Sequence, residues 1–238
     1  MKHIFFIFFY YVFLLCNAQL IEEYKDCVKE GYTSGNYTLS AHYLDKIIEI
    51  DSLDAALYFD RAMLKKGFKD VDGAIGDFTK AIAIDSTGVD SYFERGMLYN
   101  KHEKFSLAII DLNKTIELES KNADAYYQRG LAYSKLRLHK KAIADFTIAI
   151  NKREHPEAHL ERARAILQFK KDGVSLKKAL TDYDAAYSQN NENPLFYKER
   201  GDLYVLLKNK TKACEDYTLY LKYCENNCNA YTARDFCK

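Results

Sequence analysis

The chain has 238 residues, of which 48% are hydrophobic and 29% charged, as in an ordinary globular protein. Lys and Arg total 35 against 34 Asp and Glu, so the formal net charge is +1. This balance lacks the basic excess that is typical of proteins that bind nucleic acid or anionic lipid. With only two prolines and ten glycines, but 20 tyrosines and 14 phenylalanines, the composition favours long helices with aromatic packing.

The first 18 residues differ from the rest of the chain. Lys2 is followed by an apolar block from Ile4 to Leu15, and Ala18 ends the segment. A charged start, an apolar run of this length and small residues near its end predict a secretory signal peptide over 1–18. An uncleaved membrane anchor is the alternative, although the run is short for a span of roughly 20 residues. We therefore expect an exported protein, periplasmic or secreted, with no stable membrane span after cleavage.

Two sequence phrases then recur 34 residues apart, Ser-Tyr-Phe-Glu-Arg-Gly ending at Gly96 and Ala-Tyr-Tyr-Gln-Arg-Gly ending at Gly130. A fixed period of this length predicts a solenoid, in which each unit is one helix pair that buries its apolar face against its neighbours. With these copies as anchors, six units tile the chain at 21–54, 55–88, 89–122, 123–155, 156–193 and 194–227.

The units share a pattern of large and small residues. The third and fourth units show it best: Tyr92, Gly96, Tyr99, Ala108 and Leu112, then Tyr126, Gly130, Tyr133, Ala142 and Phe146. This pattern resembles the tetratricopeptide repeat family, whose motif has an aromatic residue, Leu-Gly and Tyr in a first helix and Ala and Phe in a second. The resemblance implies an all-α fold over 19–238, a right-handed superhelical solenoid of antiparallel helix pairs. The first unit and the fifth, which has an insertion near 172–175, depart most from the motif.

One charged pair goes beyond that motif. Each unit from the second to the sixth has an Arg in its first helix and an Asp 16 residues later, or 20 in the unit with the insertion. The hypothesis is an ion pair that ties the two helices together, and two separately solvated charges are the alternative. The pairs are Arg61/Asp77, Arg95/Asp111, Arg129/Asp145, Arg162/Asp182 and Arg200/Asp216.

The C-terminal end holds most of the cysteines. A solenoid needs a polar cap, and residues 228–238 restart the first-helix pattern and predict a short capping helix. Export makes disulfides plausible, and four cysteines allow three pairings. We favour Cys214–Cys237 with Cys224–Cys228, while four free thiols remain the alternative. A zinc site is disfavoured because no Cys-x-x-Cys motif or His partner is present.

The sequence contains no catalytic, metal-binding or cofactor-binding motif. Glycine loops for phosphate, nucleophile elbows and zinc-protease motifs are missing, and the six histidines are scattered over different units. The sequence therefore predicts a protein that is not an enzyme and that needs no cofactor.

In proteins with these repeats the first helices line a concave groove for a peptide or a partner's helix, so the resemblance implies one here. The apolar groove positions are Phe59, Met63, Phe93, Met97, Tyr127, Leu131 and Leu160, and acids border them at Asp60, Asp90, Glu94, Asp124 and Glu161. Acidic borders favour an apolar segment flanked by Lys or Arg. Only Lys25 and Lys29 approach the Lys positions of grooves that clamp terminal carboxylates. Burial of the apolar rows in the core is the competing interpretation.

The resulting prediction is a non-catalytic interaction scaffold of the bacterial cell envelope that binds a protein or peptide of unknown identity. A regulatory or substrate-presenting subunit of an envelope enzyme complex is the alternative. Nucleic-acid binding is a third class, which neutral charge and export disfavour.

Overall fold

The computed structural model describes residues 2–187, 193–224 and 237, and it describes their side chains except at 2–14 and 187. This part of the chain contains twelve α-helices and no strand, in agreement with the predicted all-α fold. The helices are α1 (Lys2–Ser34), α2 (Tyr37–Ile50), α3 (Ala55–Gly67), α4 (Val71–Ile84), α5 (Val89–Lys101), α6 (Phe105–Leu118), α7 (Ala123–Lys135), α8 (His139–Lys152), α9 (Pro156–Phe169), α10 (Gly173–Tyr187), α11 (Pro194–Leu206) and α12 (Lys210–Tyr223).

The helices pack as consecutive pairs in two compact units. The first unit, Met1–Leu118, contains α1/α2, α3/α4 and α5/α6, and the second, Glu119–Lys238, contains α7/α8, α9/α10 and α11/α12. The first helix of each pair from α3 onward starts at the residue that opens a sequence unit, namely Ala55, Val89, Ala123, Pro156 or Pro194. The predicted capping helix at 228–238 lies outside the described residues except for Cys237.

Short polar residues before the helices explain these starting points. The side chains of Asp54, Asn122 and Asn193 each accept a hydrogen bond from a backbone N–H in the first turn of the helix that follows. Pro156 and Pro194 occupy first-turn positions, where a missing N–H costs nothing. The sequence therefore defines where each first helix begins through local chemistry as well as through its apolar pattern.

Small residues let the two helices of a pair approach closely. A Cβ atom added at Gly96 would lie 3.1 Å from Leu112, and one added at Gly130 would lie 2.7 Å from the ring of Phe146. Both Leu112 and Phe146 are fully buried. Glycine at these two positions therefore lets the two helices of a pair cross at close distance.

The turn inside four of the pairs has a residue in the left-handed region, a conformation that non-glycine residues rarely adopt. Their φ values are 65° at Lys69, 59° at Glu103, 59° at Arg137 and 60° at Lys208. The chain thus uses one turn geometry repeatedly with different, mostly basic, side chains.

Candidate functional site

The five predicted Arg–Asp ion pairs are all present. In each pair the guanidinium Nε and Nη2 atoms donate to the two oxygens of one carboxylate, at 2.5 to 2.8 Å. The aspartates are buried and the arginines mostly covered; side-chain exposure is 3% for Asp111 and 14% for Arg95. Because both partners are removed from water, each pair fixes the register of its two helices.

Four of these arginines also contact the second helix of the preceding pair, which the sequence reasoning did not anticipate. The Nη1 atom donates to Asp45 from Arg61 (2.7 Å), to Thr79 from Arg95 (2.8 Å), to Thr147 from Arg162 (3.1 Å) and to Asp184 from Arg200 (3.0 Å). Each acceptor lies 15 or 16 residues before its arginine. The arginine therefore links three helices, and the rigid scaffold that results holds the surface side chains in place.

In the first unit, the predicted groove residues are partly buried. Phe59 and Met63 pack against the buried cluster around Phe78, and the rings of Phe59 and Phe78 are 5.6 Å apart. Phe93 and Met97 are also partly buried. Phe59 and Met63 thus combine core packing with surface exposure, which is intermediate between the two interpretations of the sequence.

Phe59 also lines a small cleft in this unit. The cleft has a volume of about 210 Å³, and its lining includes Asp85 and the predicted acidic border residue Asp90. Burial, and secondarily the charge of Asp54, raises the pKa of Asp60. The cleft of the first unit therefore combines an aromatic side chain with exposed carboxylates.

The acidic border is partly neutralised within the first unit itself. Glu94 accepts a hydrogen bond of 2.5 Å from Lys66, which lies 28 residues earlier. Glu94 is therefore less available to a cationic ligand than the sequence pattern implies.

In the second unit, Tyr127 is held mainly by packing. Its ring lies 4.3 Å from the ring of His155 and 6.0 Å from that of Phe146. Burial, with smaller contributions from Glu161 and Glu157, raises the pKa of Tyr127 to about 12. Tyr127 is therefore a neutral, largely structural side chain at physiological pH.

Leu131 and Leu160 of the second unit have different surroundings. Leu160 packs against the buried cluster around Tyr183, whereas Leu131 lines a cleft of about 630 Å³. Of the predicted groove residues, Phe59 and Leu131 are thus the two that line the described clefts.

The acidic border of the second unit is engaged by cations of the same unit. Asp124 accepts from Arg153 at 2.6 Å and lies 3.5 Å from His155 Nε2. Glu161 accepts from Arg164 at 2.6 Å. These contacts remove the acidic character that the sequence pattern suggested for this part of the groove.

The large cleft has basic residues that the sequence reasoning missed. Lys135, Arg137, His139 and Lys171 line it, and they come from the end of α7, the turn between α7 and α8, the start of α8 and the turn after α9. The predicted groove positions lie on the inner faces of the first helices, whereas these residues lie at helix ends and in turns. Lys135 and Lys171 lie about one repeat apart in the sequence, and this spacing could have identified these two residues.

Among the described residues, no group of three or more His, Cys, Asp or Glu side chains has the proximity that metal binding needs. Where side chains are described, no helix is long and apolar enough to cross a membrane. Cys214 and Cys237 are bonded to each other, with Cα atoms 5.6 Å apart, and Cys224 is also disulfide-bonded. Cys228, its predicted partner, lies outside the described residues, so the full pairing stays a prediction. Cys27 is a free, partly buried thiol.

The helix pairs, glycine crossings and repeated arginines define the class of this protein as an α-solenoid. A family model for the tetratricopeptide repeat matches residues 123–151. Residues 123–151 therefore match a tetratricopeptide repeat, the family that the sequence resembles. A comparison with curated protein sequences gives no match.

Several solved structures have the same fold. YrrB, described as a tetratricopeptide-repeat protein with an unusual peptide-binding site, is 23% identical, with a TM-score of 0.70 over 82% of this chain and 99% of its own. Pseudomonas aeruginosa pilF is 18% identical, with a TM-score of 0.74 over 93% of this chain and 99% of its own. A MamA protein is 21% identical, with a TM-score of 0.64 over 73% and 97%. At these identities the similarity establishes the fold.

Proposed function

We propose that this chain is a non-catalytic scaffold that binds a peptide or a segment of a partner protein through its first helices. The observation that carries the proposal is that Phe59 and Leu131, both predicted groove residues, line surface clefts of their respective units. An apolar anchor beside a cleft is what peptide recognition requires. The peptide-binding site described for YrrB, a protein of the same fold, supports the same reading.

We further propose that the protein acts in the bacterial cell envelope, after export from the cytoplasm. The support for this part is the charged and apolar character of residues 1–18. Cell fractionation and N-terminal sequencing of the purified protein test it. Recovery of a chain that begins at Gln19 outside the cytoplasm is the expected result, and a chain that retains Lys2 in the cytoplasm would refute it.

Site-specific photo-crosslinking tests the binding function. A photoreactive amino acid in place of Leu131 is expected to capture a partner in intact cells, whereas the same group in place of Val174 is not, because Val174 is 79% exposed but lines none of the clefts described above. The partner is then identified by mass spectrometry and its affinity is measured with purified proteins. Leu131→Ala should weaken that affinity about tenfold if the leucine is an anchor.

Two results would refute the proposal. One is equal capture from positions 131 and 174, which would indicate contact by proximity alone. The other is an unchanged affinity of the captured partner for Leu131→Ala when the thermal stability of the variant is also unchanged. Enzymatic activity that appears only in the captured complex would instead favour the role of a regulatory subunit.

A further inference from the structure

The cleft of the second unit has the size of a ligand site. Its volume of about 630 Å³ lies within the range of roughly 300–1,000 Å³ that is usual for binding pockets. Leu131 and Leu167 contribute apolar surface from α7 and α9, and Lys135, Arg137 and Lys171 surround them. The cleft is thus a small apolar surface with a basic border.

The charge of this border is not neutralised by the protein. Lys135, Arg137 and Lys171 are exposed, and none has an ion-pair partner within the described part of the chain. The other two charged residues of the lining, Arg164 and Glu161, pair with each other at 2.6 Å. Three cationic side chains therefore remain to interact with a ligand.

The nearby acids are already occupied. Arg164 also pairs with Glu199 at 2.9 Å, and Asp202 accepts hydrogen bonds from Lys198 (2.8 Å) and from the Tyr217 hydroxyl (2.7 Å). Glu199 shares Arg164 with Glu161 and also accepts from the Tyr183 hydroxyl (3.3 Å), so these carboxylates are engaged and oppose an incoming anion less than free acids would.

A polar atom at the cleft also lacks a partner. His139 lines the cleft, and its Nδ1 atom is buried without a hydrogen-bond partner among the described residues. A buried polar atom of this kind costs free energy unless a hydrogen bond is made.

The cleft continues along the first helices of the same unit. A second cleft of about 240 Å³ shares Arg164, Leu167, Gln168 and Lys171 with the first and adds Leu203 and Leu206. Leu206 is 49% exposed. Lys135 and Arg137 line only the first cleft, Lys171 lines both, and Leu203 and Leu206 line only the second.

From this arrangement we propose that the second unit binds an internal segment of a partner protein in which several Asp or Glu side chains lie beside an apolar residue. Three separated cations require more than the single carboxylate that a chain terminus supplies. The leucines favour a peptide over a purely ionic ligand. This proposal deepens the proposed scaffold function and rests on it, and it replaces, for the second unit, the Lys- or Arg-flanked ligand expected from the sequence.

Fluorescence anisotropy with labelled peptides tests the proposal. The probes are short amidated peptides in which Glu residues precede a Leu, together with counterparts that have Gln or Lys in place of Glu. The Glu peptide should bind best and should lose affinity as salt is added. The variant Lys135→Glu/Lys171→Glu should bind it about tenfold more weakly, since each reversed surface charge contributes modestly.

The matched control is Lys177→Glu/Lys178→Glu, which makes the same change in net charge at two exposed lysines on α10. Circular dichroism melts establish that both double variants remain folded. A Gln peptide that binds as well as the Glu peptide would overturn the proposal, as would an equal loss in the control. If the partner identified by crosslinking binds but none of the Glu peptides does, the scaffold function stands and the acidic-ligand proposal falls.

Discussion

The two units share an internal framework but differ in the surface they present. Both repeat the Arg–Asp pair between the helices of a pair, for example Arg95–Asp111 in the first unit and Arg200–Asp216 in the second. The cleft of the first unit has carboxylates around Phe59, whereas that of the second has free cations around Leu131. What repeats is the scaffold, and what varies is the set of side chains available for recognition.

The largest expected effect is on the shared framework. Asp111→Asn should lower the unfolding free energy of the first unit by about 3 kcal/mol, because Arg95 is mostly covered and its other acceptor described above is the uncharged Thr79 hydroxyl. Asp216→Asn should cost roughly half as much, because Arg200 keeps the carboxylate of Asp184 at 3.0 Å. Hydrogen exchange of the affected helices measures both losses.

The two ion pairs are buried to a similar extent, so the comparison of the two variants isolates the effect of the second acceptor of each arginine. The side-chain exposures are 14% and 3% for Arg95 and Asp111, and 11% and 4% for Arg200 and Asp216. Asp90→Asn, at an exposed position, serves as the control and should change little. Equal losses at Asp111 and Asp216 would show that the bond to the preceding pair contributes nothing.

The framework was also the part that the sequence predicted well. In each pair the Arg lies in the first helix and the Asp at the corresponding position of the second helix. A 34-residue repeat of antiparallel helix pairs therefore predicts that the two side chains lie close together. Local caps such as Asn122 defined the helix starts in the same way. Properties that depend on the repeat alone could therefore be read from residue spacing.

The residues available for ligand binding were predicted less well, because their availability depends on contacts between neighbouring helix pairs. Glu161 appeared as a free acid in the sequence, but its neighbour Arg164 is oriented by Glu199, 35 residues away in the next helix pair. Which charges cancel is decided by side-chain geometry across neighbouring helices, and periodicity does not report it. The free cations Lys135 and Lys171 were missed for another reason, because they lie at a helix end and in a turn, away from the inner faces of the first helices.

A second comparison concerns the glycines at the helix crossings. Gly130→Ala should lower the unfolding free energy by about 1–3 kcal/mol, because the new Cβ would lie 2.7 Å from the buried, rigid ring of Phe146. Gly96→Ala should be nearly neutral, because its contact of 3.1 Å is with a leucine and the helix gains roughly 1 kcal/mol from losing a glycine. Urea unfolding followed by far-ultraviolet circular dichroism measures the difference.

Gly76→Ala is the control for this series, because a Cβ at that exposed position in α4 would meet nothing within 4 Å. Gly76→Ala should therefore show only the increase in unfolding free energy that comes from the higher helix propensity of alanine. A loss at Gly76 as large as that at Gly130 would remove crowding as the explanation.

A smaller effect distinguishes the acids of the two surfaces. The folded-state pKa of Asp60 is raised above the ordinary 3.8, so the charged form destabilises the first unit at neutral pH and this penalty disappears as the pH falls below about 3.8. Asp60→Asn should raise the unfolding free energy by less than about 1 kcal/mol near neutral pH and not at all near pH 3. Asp124→Asn in the second unit should lower it instead, because Arg153 loses its acceptor. A pH-independent gain at Asp60 would contradict the assignment.

The smallest expected effects come from substitutions at two equivalent turn residues, Glu103 and Arg137, which distinguish a role in stability from a role in binding. Glu103 and Arg137 have the same φ of 59° in equivalent turns of the two units, and glycine at either site relieves the left-handed strain. Because glycine also gives the unfolded chain more freedom, the net gain should be at most about 1 kcal/mol in both variants. Only Arg137→Gly removes a cation from the large cleft, so only it should weaken binding of the Glu peptide, by a few-fold. Equal binding by the two variants, at equal stability, would mean that this turn supports the fold and takes no part in recognition.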